Sequence, residues 1–106
     1  MSNTTINFST NWNNKLACKC FTTLRLKNCK KYIIGKTYDI HLQRKFLKNA
    51  MIEDIKTIKF NDINEFIGML DTGYSAHETK EIIKKMYAKV NLETQPFYFI
   101  LLKTVK

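Results

Sequence analysis

The most restrictive stretch of this 106-residue chain is the apolar run Phe97-Tyr98-Phe99-Ile100-Leu101-Leu102 that follows Pro96. A run of strand-forming residues with no polar face to offer water predicts a central strand covered on both sides. It is far too short to span a bilayer. The rest of the chain must supply its neighbours and its cover.

Period-two alternation marks those neighbours. Ile6-Asn7-Phe8-Ser9 reads as a short strand after a loose tail over residues 1–5. Thr10 or Asn11 can cap one or two helical turns, with Trp12 and Leu16 at helical spacing. Cys18 to Leu26 reads as a strand, with Thr22, Leu24 and Leu26 on one face and Phe21, Thr23 and Arg25 on the other. After a basic loop and a turn at Gly35-Lys36, Thr37 to Leu42 alternates with Tyr38, Ile40 and Leu42 inward. Gln43-Arg44-Lys45 makes a basic hairpin connection. Residues 46–60 suit one bent strand or two, and the apolar pattern changes step near Glu53-Asp54, where a bulge is expected.

Two helices come next. Asp62 with Glu65 makes a capping pattern, and Ile63, Phe66, Ile67 and Leu70 form an apolar stripe that ends before Gly73. Ser75 with Glu78 matches the capping box, and Ile82, Ile83, Met86, Tyr87 and Val90 form a second stripe. The spacing predicts helices over about residues 62–70 and 75–89, with both stripes in the core. The expected fold is α+β: one domain over 1–106, a small mixed barrel of five or six strands with two consecutive flanking helices and a short N-terminal helix.

Charge and cysteine content bound the function. The 18 basic and 9 acidic residues leave a net charge of +9, and no acid precedes Asp39, whereas Lys15, Lys19, Arg25, Lys27, Lys30, Lys31 and Lys36 all do. That bias favours a polyanion, with nucleic acid ahead of a membrane surface because no basic amphipathic helix accompanies it. Lys27, Lys30, Lys31, Arg44 and Lys45 are the candidate phosphate contacts. Cys18, Cys20 and Cys29 lack C-x-x-C spacing, so metal binding is not expected and free thiols suit a reducing cytoplasm. No Gly-rich phosphate loop, Ser-His-Asp order or H-E-x-x-H helix occurs. No cofactor is called for, and a monomer is the default.

An arginine two residues after a threonine, on a strand face led by phenylalanine, makes sense where that face opens onto a cleft or onto water. Thr23 and Arg25 are therefore candidate ligand contacts, joined by the interhelix turn Asp71-Thr72-Gly73-Tyr74, which supplies an acid and an aromatic ring. An edge strand with a snorkelling arginine is the plainer alternative.

These residues carry a resemblance. I-N-F at Ile6 to Phe8, a short helix, K-x-x-T-x-x-R ending on Arg25, Y-x-x-G-K-x-Y around Gly35, two helices and a final P-F-Y-F-I-L-L together resemble the ASCH domains of the PUA-like superfamily. The likeness is greatest to the small single-domain branch that includes bacterial N4-acetylcytidine amidohydrolase. The resemblance implies a β-barrel with a cleft along the Arg25 strand that binds RNA or a modified nucleoside. In the amidohydrolase branch a lysine, a threonine and a glutamate do the chemistry. An ungapped match places Thr23 on the threonine and Cys20 on the lysine, with Asp71 or Thr72 near the glutamate. With a one-residue shift of the backbone that brings Lys19 to the lysine position, the resemblance offers Lys19, Thr23 and Asp71 as a catalytic set if the chain is an enzyme, and Thr23, Arg25 and Tyr74 are the nucleoside contacts if it only binds.

Overall fold

A computed structural model describes residues 4–105. It is a curled, mixed five-stranded sheet with helices along one flank. The strands are β1 (Thr5–Phe8), β2 (Cys20–Leu26), β3 (Thr37–Leu42), β4 (Lys45–Ile58) and β5 (Phe97–Val105), in the order β1-β3-β4-β5-β2. Only β1 and β3 run parallel. As expected, the C-terminal strand lies centrally, with a neighbour at each edge, and Phe97, Ile100 and Leu102 are fully buried; the cover expected on both faces is incomplete, since Leu101 is 39% exposed. The tail expected over residues 1–5 falls partly outside the described residues, and β1 already begins at Thr5.

The long β4 carries its bulge where the apolar step changes, between Ile52 and Asp54 opposite β5. The preceding hairpin turns on Gln43 and Arg44, both left-handed at φ 53° and 67°, which suits the twist of a two-residue connection but is unfavourable for side chains of this size. Strand β1 supports that turn. The Gln43 amide donates to the Phe8 carbonyl at 2.8 Å and the Arg44 amide to Asn7 Oδ1 at 2.8 Å.

Between β1 and β2 the chain makes two tight 3-10 turns over Trp12–Ala17, with Asn13 and Asn14 left-handed. Asparagine tolerates that region better than most residues. The expected one or two helical turns are thus 3-10 turns, and the side chain of Asn11 does not cap them: its Oδ1 accepts instead from the Leu16 amide, five residues on, at 3.0 Å.

The helices depart from the sequence reading in their bounds and in the face they bury. Helix α1 spans Glu65–Asp71 and is capped by Asn64, whose Oδ1 accepts from the Ile67 amide at 2.9 Å. Asp62 instead closes a separate 3-10 turn over Phe60–Asp62, accepting from the Lys59 amide. Phe66 and Leu70, expected in the core, are 81% and 57% exposed. The face turned inward is Ile67, Gly68 and Asp71, rotated by one residue from the most apolar stripe. Gly68 explains the rotation, since a Cβ there would stand 2.8 Å from the Tyr74 carbonyl and 2.9 Å from Thr79 Oγ1. Only a glycine lets the next helix approach this closely.

That helix, α2, spans Ala76–Met86 and begins with the expected capping box: Ser75 Oγ accepts from the Glu78 amide at 3.1 Å, and Glu78 reaches back to the Ser75 amide. It ends at Met86, short of residue 89, and its buried side chains are Thr79 and Ile83, whereas Met86 is exposed. Between the helices Gly73, at φ 81°, makes the turn that ends α1. No helix of the described residues is long and apolar enough to cross a membrane.

Gly68→Ala sets a helix-propensity gain of about 1 kcal/mol against an overpacking cost of about 1 to 3 kcal/mol. The neighbours are a carbonyl and a hydrogen-bonded threonine rather than a flexible side-chain end, so a lower Tm by calorimetry is the expected result.

Candidate functional site

The sheet has two edge strands, β1 and β2, and they are joined by side chains. On β2, Arg25 lies beside Thr23 as strand parity requires, and its Nε donates to Thr23 Oγ1 at 2.9 Å. Its Nη2 crosses to β1 and donates to the Asn7 carbonyl at 2.8 Å. The guanidinium lies 4.8 Å from the centre of the Phe8 ring, within reach of a cation–π contact. Arg25 is therefore fixed between the sheet edges rather than splayed into solvent, although β2 is indeed an edge strand.

Below this seam is a buried ion pair. Lys15 and Asp71 are 5% and 6% exposed. Lys15 Nζ donates to Asp71 Oδ1 at 3.0 Å and to the Asp71 carbonyl at 2.7 Å, closing the open C-terminal end of α1. Thr22 Oγ1 donates to the same Oδ1 at 3.1 Å. Both side-chain bonds fall on Oδ1, and no buried side-chain nitrogen or oxygen among the described residues lacks a partner, so Oδ2 retains contact with solvent. Burial lowers the Lys15 pKa, and the Asp71 charge and hydrogen bond only partly restore it; Arg25 lowers it further.

These groups enclose a cleft of about 220 Å³, room for one planar ring system but not for a duplex. Its polar lining includes Lys15, Thr23, Arg25 and Asp71, and its apolar lining includes Phe8, Trp12, Met86 and Tyr87. Trp12 meets Tyr74 edge-on, with ring centres 5.9 Å apart. Burial raises the Tyr87 pKa, opposed by the nearby Arg25 charge. The cleft can accept a flat ligand between aromatic walls, with donors at Arg25 and Lys15 and an acceptor at the Asp71 carboxylate.

Of the residues singled out in the sequence, the cleft brings together Thr23, Arg25 and Asp71, and Tyr74 supports its rim through Trp12. Lys19 is not among them. It is exposed and lines a separate groove with Cys18, Leu47, Lys48 and Thr104, while Cys20 is exposed at the start of β2. The lysine beside the acid is Lys15, and the threonine bonded to that acid is Thr22, with Thr23 serving Arg25 instead. Sequence reasoning treated Lys15 as one basic residue among several. No local spacing set it apart, since Lys19 lies at helical spacing from Trp12 and Leu16 as well. Lys27 and Lys31 line a shallow groove that adjoins the cleft at Arg25 and Tyr87. Lys30 is exposed in the same loop. Arg44 and Lys45 lie in the hairpin held by Asn7, whose own residue lines the cleft.

Comparison with protein-family models, curated proteins and solved structures gave no match.

Asp71→Asn leaves the Lys15 charge buried without a counter-ion and should cost about 3 to 5 kcal/mol in urea unfolding. Adding Lys15→Met to that variant should recover part of the loss, because the unpaired charge is then gone. In the wild-type protein, an NMR titration of the Lys15 side chain should give a midpoint below the ordinary lysine value of 10.5. The shift has the sign of a stability penalty: the folded chain releases this proton at lower pH than the unfolded chain, so the penalty lessens as pH rises towards 10.5.

Proposed function

We propose that this protein binds RNA or a modified nucleoside through a base seated in the Arg25 cleft, as an ASCH-like module of the PUA-like kind. The observation that carries the reading is the setting of Arg25. A guanidinium held in place by Thr23 and Asn7, in a cleft walled by Phe8 and Trp12, is preorganised to stack on a flat base or to donate to its edge. The net charge of +9 and the exposed lysines near the cleft suit an anionic polymer on which such bases are carried.

A second reading, hydrolysis of an acyl group on such a nucleoside, is favoured by one feature of the cleft. Lys15 is an amine whose charged form is disfavoured by burial, and a carboxylate lies within hydrogen-bond reach. A lysine tuned in that direction is closer to the neutral form that proton transfer or nucleophilic attack requires. In this reading Lys15 takes the place that the family resemblance offered to Lys19.

Trp12 is the sole tryptophan and lines the cleft, so its fluorescence reports on occupancy. Titration with nucleosides and short single-stranded RNA should change its emission, and Arg25→Lys should weaken binding roughly tenfold because an ammonium cannot reproduce the planar fork. No response to any nucleoside or RNA would overturn the binding reading. Turnover of N4-acetylcytidine that is lost in Lys15→Gln, with that variant still folded by circular dichroism, and kept in Lys19→Ala would decide for the hydrolase.

A further inference from the structure

Arg25 belongs to two concavities at once. It lines the cleft with Thr23 and Asp71, and it lines the adjoining groove with Lys27, Asn28 and Lys31. Tyr87 is also common to both. We propose that the groove is a phosphate subsite, so that the ligand is a nucleotide, free or within a single strand, with its base in the cleft and its phosphate on Lys27 and Lys31. The proposal rests on the nucleobase reading of the cleft.

The groove is constructed to hold cations in place. The Lys27 amide donates to the Pro96 carbonyl at 3.1 Å, which fixes the chain where it leaves β2. Asn28 then folds the loop into a tight turn: its side-chain oxygen accepts from the Lys30 and Lys31 amides, at 3.2 and 3.1 Å, and its carbonyl accepts from the Tyr32 amide at 3.0 Å. Lys31 Nζ lies 5.4 Å from the centre of the Tyr32 ring, and Tyr32 is buried. Tyr38 anchors the far end of the turn, its hydroxyl donating to the Lys31 carbonyl at 2.6 Å and accepting from the Ile33 amide at 2.8 Å. Lys31 is thus carried on a backbone fixed at both sides.

These cations are not neutralised by the protein. The ion pairs among the described residues are Lys15–Asp71 and Lys84–Glu81. No aspartate or glutamate lines the groove, and the two bonds made by Arg25 go to neutral oxygens. Arg25, Lys27 and Lys31 therefore give one groove three cations and no acid, a setting that attracts an anion. A phosphate is the anion that comes attached to a base. One ribose separates base from phosphate in a nucleotide, as one side chain, Arg25, separates the cleft from the groove. Lysines accept phosphate as point charges, without demanding one orientation, whereas the fixed Arg25 fork suits the base.

The test compares the four ribonucleosides, their 5′- and 3′-monophosphates and a short oligoribonucleotide by Trp12 fluorescence. At low salt a monophosphate should bind about tenfold more tightly than its nucleoside, in line with charge-assisted contacts at an exposed site. High salt should erase the gain, and the Lys27→Gln/Lys31→Gln double variant should bring the nucleotide down to the affinity of the nucleoside. An oligoribonucleotide that binds more tightly still identifies the strand as the source of the phosphate, and one that binds no better identifies the free nucleotide. Equal affinity for nucleoside and nucleotide would overturn the phosphate subsite and leave the cleft reading intact. If neither nucleosides nor nucleotides bind, the cleft reading fails and the subsite with it.

Discussion

The structure depends on how the two edges of its sheet are held together. Strands β1 and β2 share no backbone ladder, and the connection between them consists of Arg25 reaching the Asn7 carbonyl, with Phe8 and Phe21 packed edge-on beside it at 6.1 Å. A backbone ladder would bring the strands to within 5 Å or so and leave no opening. A side-chain seam satisfies Asn7 and still leaves room for the cleft. Closure and cleft therefore come from the same arginine.

The Lys15–Asp71 pair does the corresponding work one layer deeper. It ties the turns after β1 to the end of α1, residues 56 positions apart in the chain, and Thr22 adds β2 to the same carboxylate. Burying such a pair in place of apolar groups seldom adds stability, because the desolvation of two ions offsets their attraction. What the pair does supply is a defined position for α1, with the lysine on the C-terminal carbonyl where the helix dipole favours a cation. It also leaves one carboxylate oxygen and one amine with lowered basicity at the cleft, where apolar replacements would leave neither.

The orientation of α1 shows how a tertiary demand overrides local pattern. Amphipathicity alone would turn Phe66 and Leu70 inward, yet Asp71 must meet Lys15 and Gly68 must lie against α2. Thr72 and Thr79 complete that contact. The Thr72 hydroxyl donates to the Gly68 carbonyl at 2.9 Å, so the 2.8 Å contact between the two hydroxyls has Thr79 as donor. With those polar partners fixed, Phe66 is left outside.

The amino-acid sequence by itself determined the features that arise within a few residues: the element order, the central C-terminal strand, the bulge near Asp54, the Ser75 capping box, the Gly73 stop and the placing of Thr23 beside Arg25 on one face. These follow from backbone periodicity and capping, which are local and carry their own signature. Only the tertiary structure decided that Lys15 rather than Lys19 meets Asp71, that Thr22 rather than Thr23 shares that carboxylate, and that α1 turns Gly68 inward. Each of those is a contact between residues distant in sequence. Nothing local distinguishes one lysine of the basic N-terminal stretch from the next until the sheet curls and one of them is taken out of water.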